Sequence, residues 1–180
     1  MKKILAFTGS NHSKSINRQL LQFALELMDN RSFEITEIDL RDYSPIMLSL
    51  DEEKQNGLPK ETLELYELMQ NFDGFIIASP EHNSSVPAFF KNITDWLSRK
   101  ELKFFHEKSV LLLSTSQGGR GGKTNLAVLE SVYSRMFTAK ITGAYSLPSF
   151  SQNFQDGRIV NEEELNLLKE QISTFSNSFE

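Results

Sequence analysis

Residues Phe75 to Ser98 read FIIASPEHNSSVPAFFKNITDWLS, and three kinds of local chemistry follow one another in this stretch. Phe75-Ile76-Ile77-Ala78 is an unbroken apolar run with no alternation, the pattern of a strand covered on both faces, as in a parallel sheet. Ser79 to Ser85 is a crowded polar turn stiffened by Pro80. Pro87 then opens a segment in which Phe89, Phe90, Ile93, Trp96 and Leu97 share one helical face, and proline suits a first helical position because its missing N–H would have no partner there. Strand, loop and helix in this order make one unit of an α/β fold.

The same unit recurs along the chain. Ile4-Leu5-Ala6-Phe7 and Val110-Leu111-Leu112-Leu113 are further buried-strand runs. Phe33 to Asp39 alternates and reads as a strand near a sheet edge, and Ala139 to Leu147 is a fifth, weaker candidate. Helical faces are formed by Ile16, Leu20, Phe23, Ala24, Leu27 and Met28; by Leu63, Leu65, Tyr66, Leu68 and Met69 after Pro59; and by Leu126, Val128, Leu129, Val132, Tyr133 and Met136. Asn161-Glu-Glu-Glu164 offers an N-cap and dipole-matched charge ahead of Leu165, Leu168 and Ile172. Residues 41–58 read as a long surface connection. Alternating βα units predict right-handed crossovers and a doubly wound parallel sheet, with ligands beyond the carboxyl ends of the strands.

Composition narrows the function. With 180 residues, 39% of them hydrophobic, the chain is expected to form one domain over 1–180. The net charge of −5, with no lysine- and arginine-rich window, argues against nucleic acid and anionic membrane as partners. The absence of cysteine excludes disulfides and thiolate chemistry and agrees with a cytoplasmic setting. His12, His82 and His106 lack metal-ligand spacing, so no metal is expected. The apolar run after Met1-Lys2-Lys3 stops at Thr8-Gly9-Ser10, short of the roughly 7–15 residues of a signal-peptide core, and no stretch is long enough to span a membrane.

Three loops follow the first, third and fourth strands. Thr8 to Asn17 sets hydroxyls, an imidazole and an amide around a helix N-terminus, where free N–H groups favour phosphate; Ser13 or Ser15 also suits plain N-capping. In Ser79 to Ser85, Glu81 and Asn83 bring acceptors and donors, and Ser84 or Ser85 suits a cap. Ser114 to Thr124 holds Gly118, Gly119, Gly121 and Gly122, which let backbone N–H groups approach a flat or anionic ligand. Its Gly-Gly-Lys-Thr ending is a near miss for a P-loop, because GxxxxGK[ST] needs glycine where the chain has Gln117.

Taken together, GSNHSKSIN (9–17), SPEHNSSVPAFFKNITDWLSR (79–99) and SQGGRGG (116–122) resemble the motifs of the NADPH-dependent FMN reductase family, GS-L-R-x-x-S-x-N, TPEYN-x-S-x-P-x-x-LKN-x-x-DW-x-S-R and a glycine-rich third loop. The likeness covers most of residues 3–147. It implies a flavodoxin-like three-layer sandwich with a five-stranded parallel sheet in order 2-1-3-4-5 and helices on both faces. It also implies FMN as cofactor, NADPH or NADH as donor, and a homodimer or tetramer with the flavin near the interface. Carried over by position, Ser10, His12, Ser15 and Asn17 would hold the FMN phosphate, with Ile16 among the FMN-binding positions. Pro80, Glu81, His82, Asn83 and Ser84 would line the isoalloxazine, and Ser116, Gln117, Gly118 and Gly119 would approach its pyrimidine edge. Arg120 is the candidate for the nicotinamide dinucleotide, and no catalytic side chain is expected because the cofactor carries the chemistry. His12 stands where the family usually has arginine, and His82 where it has tyrosine. The implied activity is hydride transfer from NAD(P)H through flavin to free FMN, a quinone or another small acceptor. The alternative is a flavodoxin-type FMN-binding electron carrier without nicotinamide turnover.

Overall fold

A computed structural model of the chain describes residues 1–29 and 31–180. Its main sheet has five parallel strands, β1 (Lys2–Thr8), β2 (Phe33–Ile38), β3 (Gly74–Ala78), β4 (Ser109–Thr115) and β5 (Lys140–Leu147), in the order β2-β1-β3-β4-β5. This is the doubly wound flavodoxin-like order, and the alternating strand β2 lies at an edge as its sequence predicts. The helices are α1 (Ile16–Glu26), α2 (Leu50–Asn56), α3 (Lys60–Gln70), α4 (Ala88–Lys100), α5 (Lys123–Arg135), α6 (Phe150–Asn153) and α7 (Glu162–Asn177). A 3₁₀ turn, Leu40–Tyr43, follows β2, and the two-residue strands β6 (Phe154–Gln155) and β7 (Arg158–Ile159) pair as a small hairpin.

The central strands explain the unalternating runs, because successive side chains enter opposite cores. Leu5, Phe7, Phe75, Ile77, Val110 and Leu112 pack beneath α3, α4 and α5, together with Leu65, Phe90, Ile93, Leu129 and Tyr133. Ile4, Ala6, Ile76, Ala78, Leu111 and Leu113 meet Leu20, Leu21 and Ala24 of α1 and Leu168, Ile172 and Phe175 of α7. With both faces covered, strand after strand must be apolar throughout.

Two expectations are corrected here. The connection over 41–58 contains α2, started by Ser49, whose hydroxyl accepts from the backbone N–H groups of Asp51 and Glu52. Ser49-Leu-Asp-Glu52 has capping-box spacing, but α2 buries none of its residues and so carries no apolar period. Likewise, neither Ser84 nor Ser85 caps α4: Pro87 is the N-cap and no side chain bonds there.

Within α4, Asn92 and Trp96, one turn apart, fix that same connection. Asn92 Nδ2 donates to the carbonyls of Pro45 (3.2 Å) and Ile46 (3.1 Å), its Oδ1 accepts from Leu48 N–H (2.8 Å), and the Trp96 indole donates to Ile46 O at 2.7 Å. No helix among the described residues is long and apolar enough to cross a membrane.

Candidate functional site

A parallel sheet sends the carboxyl ends of β1, β3 and β4 to one edge, so the loops that follow them are neighbours. Their backbones are bonded together: Gly9 N–H donates to Ala78 O (2.8 Å), and Ser79 N–H donates to Leu113 O (2.9 Å). Gly9 is required by contact, since a Cβ there would lie 2.5 Å from Cδ1 of the buried Phe90 ring.

In the first loop, Ser10 Oγ accepts from His12 N–H (3.2 Å), and His12 Nδ1 accepts from Lys14 N–H (3.1 Å). Ser15, not Ser13, is the N-cap of α1 and accepts from Arg18 N–H. The backbone N–H groups of Ile16 and Asn17 have no acceptor among the described residues, so the helix end keeps two open donors. Asn17 departs from the sequence reading. Its side chain is buried, with Nδ2 donating to Thr115 O (3.0 Å) and Oδ1 accepting from Thr115 N–H (2.9 Å), so its amide joins α1 to β4 and only its backbone N–H is left for a ligand.

The second loop closes into a tight turn that the sequence does not announce. Asn83 and Ser84 both have positive φ, 51° and 60°, and His82 and Ser85 exchange two hydrogen bonds of 3.0 Å across them. This is a type I′ turn, and it presents His82, Asn83 and Ser84 to solvent at the sheet edge. Pro80 is half-buried behind it. Glu81 turns the other way: its Oε2 accepts from the backbone N–H of Asn125 at 2.9 Å.

The four glycines of the third loop divide into two pairs. Gly121 and Gly122 have φ of 59° and 84°, and a Cβ on them would come within 2.7 Å of the Leu147 backbone and 2.0 Å of Ser114 Oγ, so they serve the fold. Gly118 and Gly119 are exposed and face open space: a Cβ on Gly119 would meet nothing within 4 Å, and one on Gly118 only Ser116 Oγ at 3.8 Å. Ser116 Oγ donates to Gly118 O (3.3 Å). Gln117 Oε1 accepts from both Ser151 N–H (3.2 Å) and Ser151 Oγ (2.6 Å), while Ser149 and Phe150 donate their N–H groups to Gly118 O and Ser116 O, each at 3.0 Å. The segment 149–151 therefore supports the open glycines, a role the sequence reading missed because nothing local links residues 34 apart. Arg120 is exposed, and its side chain forms no ion pair among the described residues.

Comparison with known proteins identifies the family and the fold. The family model described as NADPH-dependent FMN reductase matches residues 2–152. A subunit of an NADH:(hydroxy)cinnamate reductase from Vibrio ruber is 30% identical over 128 residues, 71% of this chain and 60% of that protein. An NAD(P)H:quinone oxidoreductase from Solanum tuberosum is 32% identical over 68% of this chain and 62% of its own length, so the chain spans about three fifths of these two relatives. An NAD(P)H-dependent FMN reductase from Pseudomonas aeruginosa is 27% identical over 94% of this chain and 91% of that one. Among solved structures, FerB, a flavoenzyme NAD(P)H:(acceptor) oxidoreductase from Paracoccus denitrificans, superposes with a TM-score of 0.74 at 20% identity, covering 98% of this chain and 96% of that chain, which supports the fold. With the family model covering most of the chain and three motif-bearing loops meeting at one sheet edge, the chain belongs to the NADPH-dependent FMN reductase family.

Proposed function

We propose that the chain binds FMN across the loops after β1, β3 and β4 and works as an NAD(P)H-dependent oxidoreductase that passes reducing equivalents to free FMN, a quinone or another small acceptor. One observation carries the reading: an α1 end with two open N–H donors and Ser10 beside it shares a sheet edge with the Gly118-Gly119 strip, which faces open space. The first feature suits a phosphate and the second a flat ring, which are the two ends of FMN. The residues present therefore fit the cofactor.

When bound, FMN would supply the hydride and electron chemistry. The chain's own residues bind and orient. Ile16 and Asn17 offer backbone N–H groups and Ser10 a hydroxyl to a phosphate, and the type I′ turn at Asn83 and Ser84 holds its polar groups in place without induced ordering. Gly118 and Gly119 leave main-chain donors reachable, and Arg120 is the cation nearest that strip in sequence for a dinucleotide phosphate.

We infer further that the protein is a homodimer, and that it works in the cytoplasm, in keeping with a chain without cysteine. An apolar groove of about 240 Å³ between α4 and α5, lined by Val86, Leu102, Val128, Val132 and Met136, supports self-association, with Leu102 and Met136 about half exposed.

Titration with FMN, riboflavin and FAD, followed by anaerobic NADPH and NADH oxidation with a quinone as acceptor, tests the activity, and sedimentation tests the dimer. The reading expects FMN to bind best and nicotinamide to turn over steadily. Tight FMN binding without nicotinamide oxidation would point instead to a flavodoxin-type electron carrier, and no flavin binding at all would overturn both.

A further inference from the structure

The amino end of α5 lies against the candidate site and lacks the side-chain cap that helix starts favour. Its N-cap is Gly122, left-handed at φ 84° and bonded by no side chain. No serine or aspartate can replace it, because a Cβ there would stand 2.0 Å from Ser114 Oγ. The acceptor comes from another loop, through Glu81 Oε2 on the backbone N–H of Asn125 at 2.9 Å. Asn125 is fully buried and ties the same two loops a second time, its Nδ2 donating to Ser79 O at 3.1 Å. Ser79 O also accepts from Ser114 Oγ at 2.7 Å.

Taking the flavin-binding reading as its basis, we propose that Glu81 is a positioning residue: it caps α5 from the β3 loop, holds residues 80–85 and 116–119 as one wall, and fills the anion position at that helix end. A carboxylate at a helix N-terminus is favoured by the macrodipole and repels a second anion. The contrast with α1 is direct. There the cap is the neutral hydroxyl of Ser15 and two N–H groups stay open. Phosphate is thereby directed to α1, and the Gly-Gly-Lys-Thr stretch at α5, for all its likeness to a phosphate loop, faces a charge of the protein's own.

Three readouts test this on the full chain. Amide exchange followed by NMR in the ligand-free protein is expected to run at least about tenfold faster at Asn125 in Glu81→Ala, the loss of one charge-assisted bond, while β4 amides stay protected. FMN and riboflavin dissociation constants are expected to rise by the same factor, about tenfold, because the ring wall and not the phosphate site is loosened. Glu81→Gln keeps an acceptor oxygen and is expected to stay within about threefold of wild type. Inorganic phosphate is expected to shift the amides of Lys123 to Asn125 in Glu81→Ala and to leave them in place in the wild type. Should Glu81→Ala fail to fold, Glu81→Asp, one methylene shorter, takes its place. Unchanged Asn125 exchange, or faster exchange with flavin affinity intact, overturns the proposal. A wild type that binds no flavin refutes the functional reading instead, and the exchange and phosphate arms still decide whether Glu81 caps α5.

Discussion

Asn17 and Thr115, 98 residues apart in sequence, exchange two hydrogen bonds: the Asn17 side chain donates to the Thr115 carbonyl at 3.0 Å and accepts from the Thr115 N–H at 2.9 Å. The amide behaves as one extra residue of sheet at the end of β4. It fixes the start of α1 against the root of the glycine-rich loop, and so sets the spacing between the two ends of the candidate site.

Asn17→Ala is therefore expected to act on stability first. It strips both partners from a buried backbone pair, a cost on the order of 2–4 kcal/mol by the usual penalty for unsatisfied buried groups. Urea unfolding of the ligand-free protein measures this. The reading of the sequence, in which Asn17 serves a phosphate, expects the reverse: FMN affinity falling in a protein of unchanged stability.

Ser10→Ala separates phosphate binding from folding. Ser10 is half-buried and its Oγ accepts from His12 N–H within an exposed loop, so its loss is expected to cost folding less than about 1 kcal/mol. If the hydroxyl serves the phosphate, FMN affinity drops about tenfold while riboflavin affinity holds. Parallel calorimetric titrations with the two flavins give the comparison, and equal effects on both would remove Ser10 from the phosphate site.

The glycines provide a paired test. Gly9→Ala places a methyl 2.5 Å from the ring of Phe90, which is 2% exposed and cannot step aside, and is expected to destabilise by about 1–3 kcal/mol through overpacking. Gly119→Ala meets nothing within 4 Å and has no positive φ, so the melting temperature is expected to stay put while FMN binding weakens. Thermal melts with and without FMN distinguish the two; a Gly119→Ala variant with wild-type affinity would show that no ring lies over this strip.

Acid stability should draw on the end of β2. The Arg41 guanidinium, with Nε 2.9 Å from Oδ1, is the main cause holding the Asp39 carboxyl at about 2 against its usual 3.8, and Arg18 adds to it. A depressed folded-state value means stabilisation that is complete above the unfolded value and is lost as pH falls from near 4 through about 2. Asp39 is partly solvated, so the effect is modest. Thermal melts of wild type and Asp39→Asn are expected to differ near neutral pH and to converge by about pH 2; a constant gap across that range would refute the linkage.

By itself the sequence determined the architecture and which three loops share one sheet edge. Phe75 to Ala78 and Val110 to Leu113 have no polar alternation because both faces of a parallel strand are covered, and such a sheet sends the loops after β1, β3 and β4 to one edge. What each polar residue does there was decided by tertiary structure. The Asn17 amide is taken by Thr115, Glu81 by Asn125 and Gln117 by Ser151, partners 98, 44 and 34 residues away, and the four glycines divide only once Ser114 and Leu147 stand beside two of them. The physical reason is that apolar period and turn chemistry are local properties, readable a few residues at a time. A hydrogen-bonding group is committed only by the neighbour that the finished fold places within about 3 Å of it.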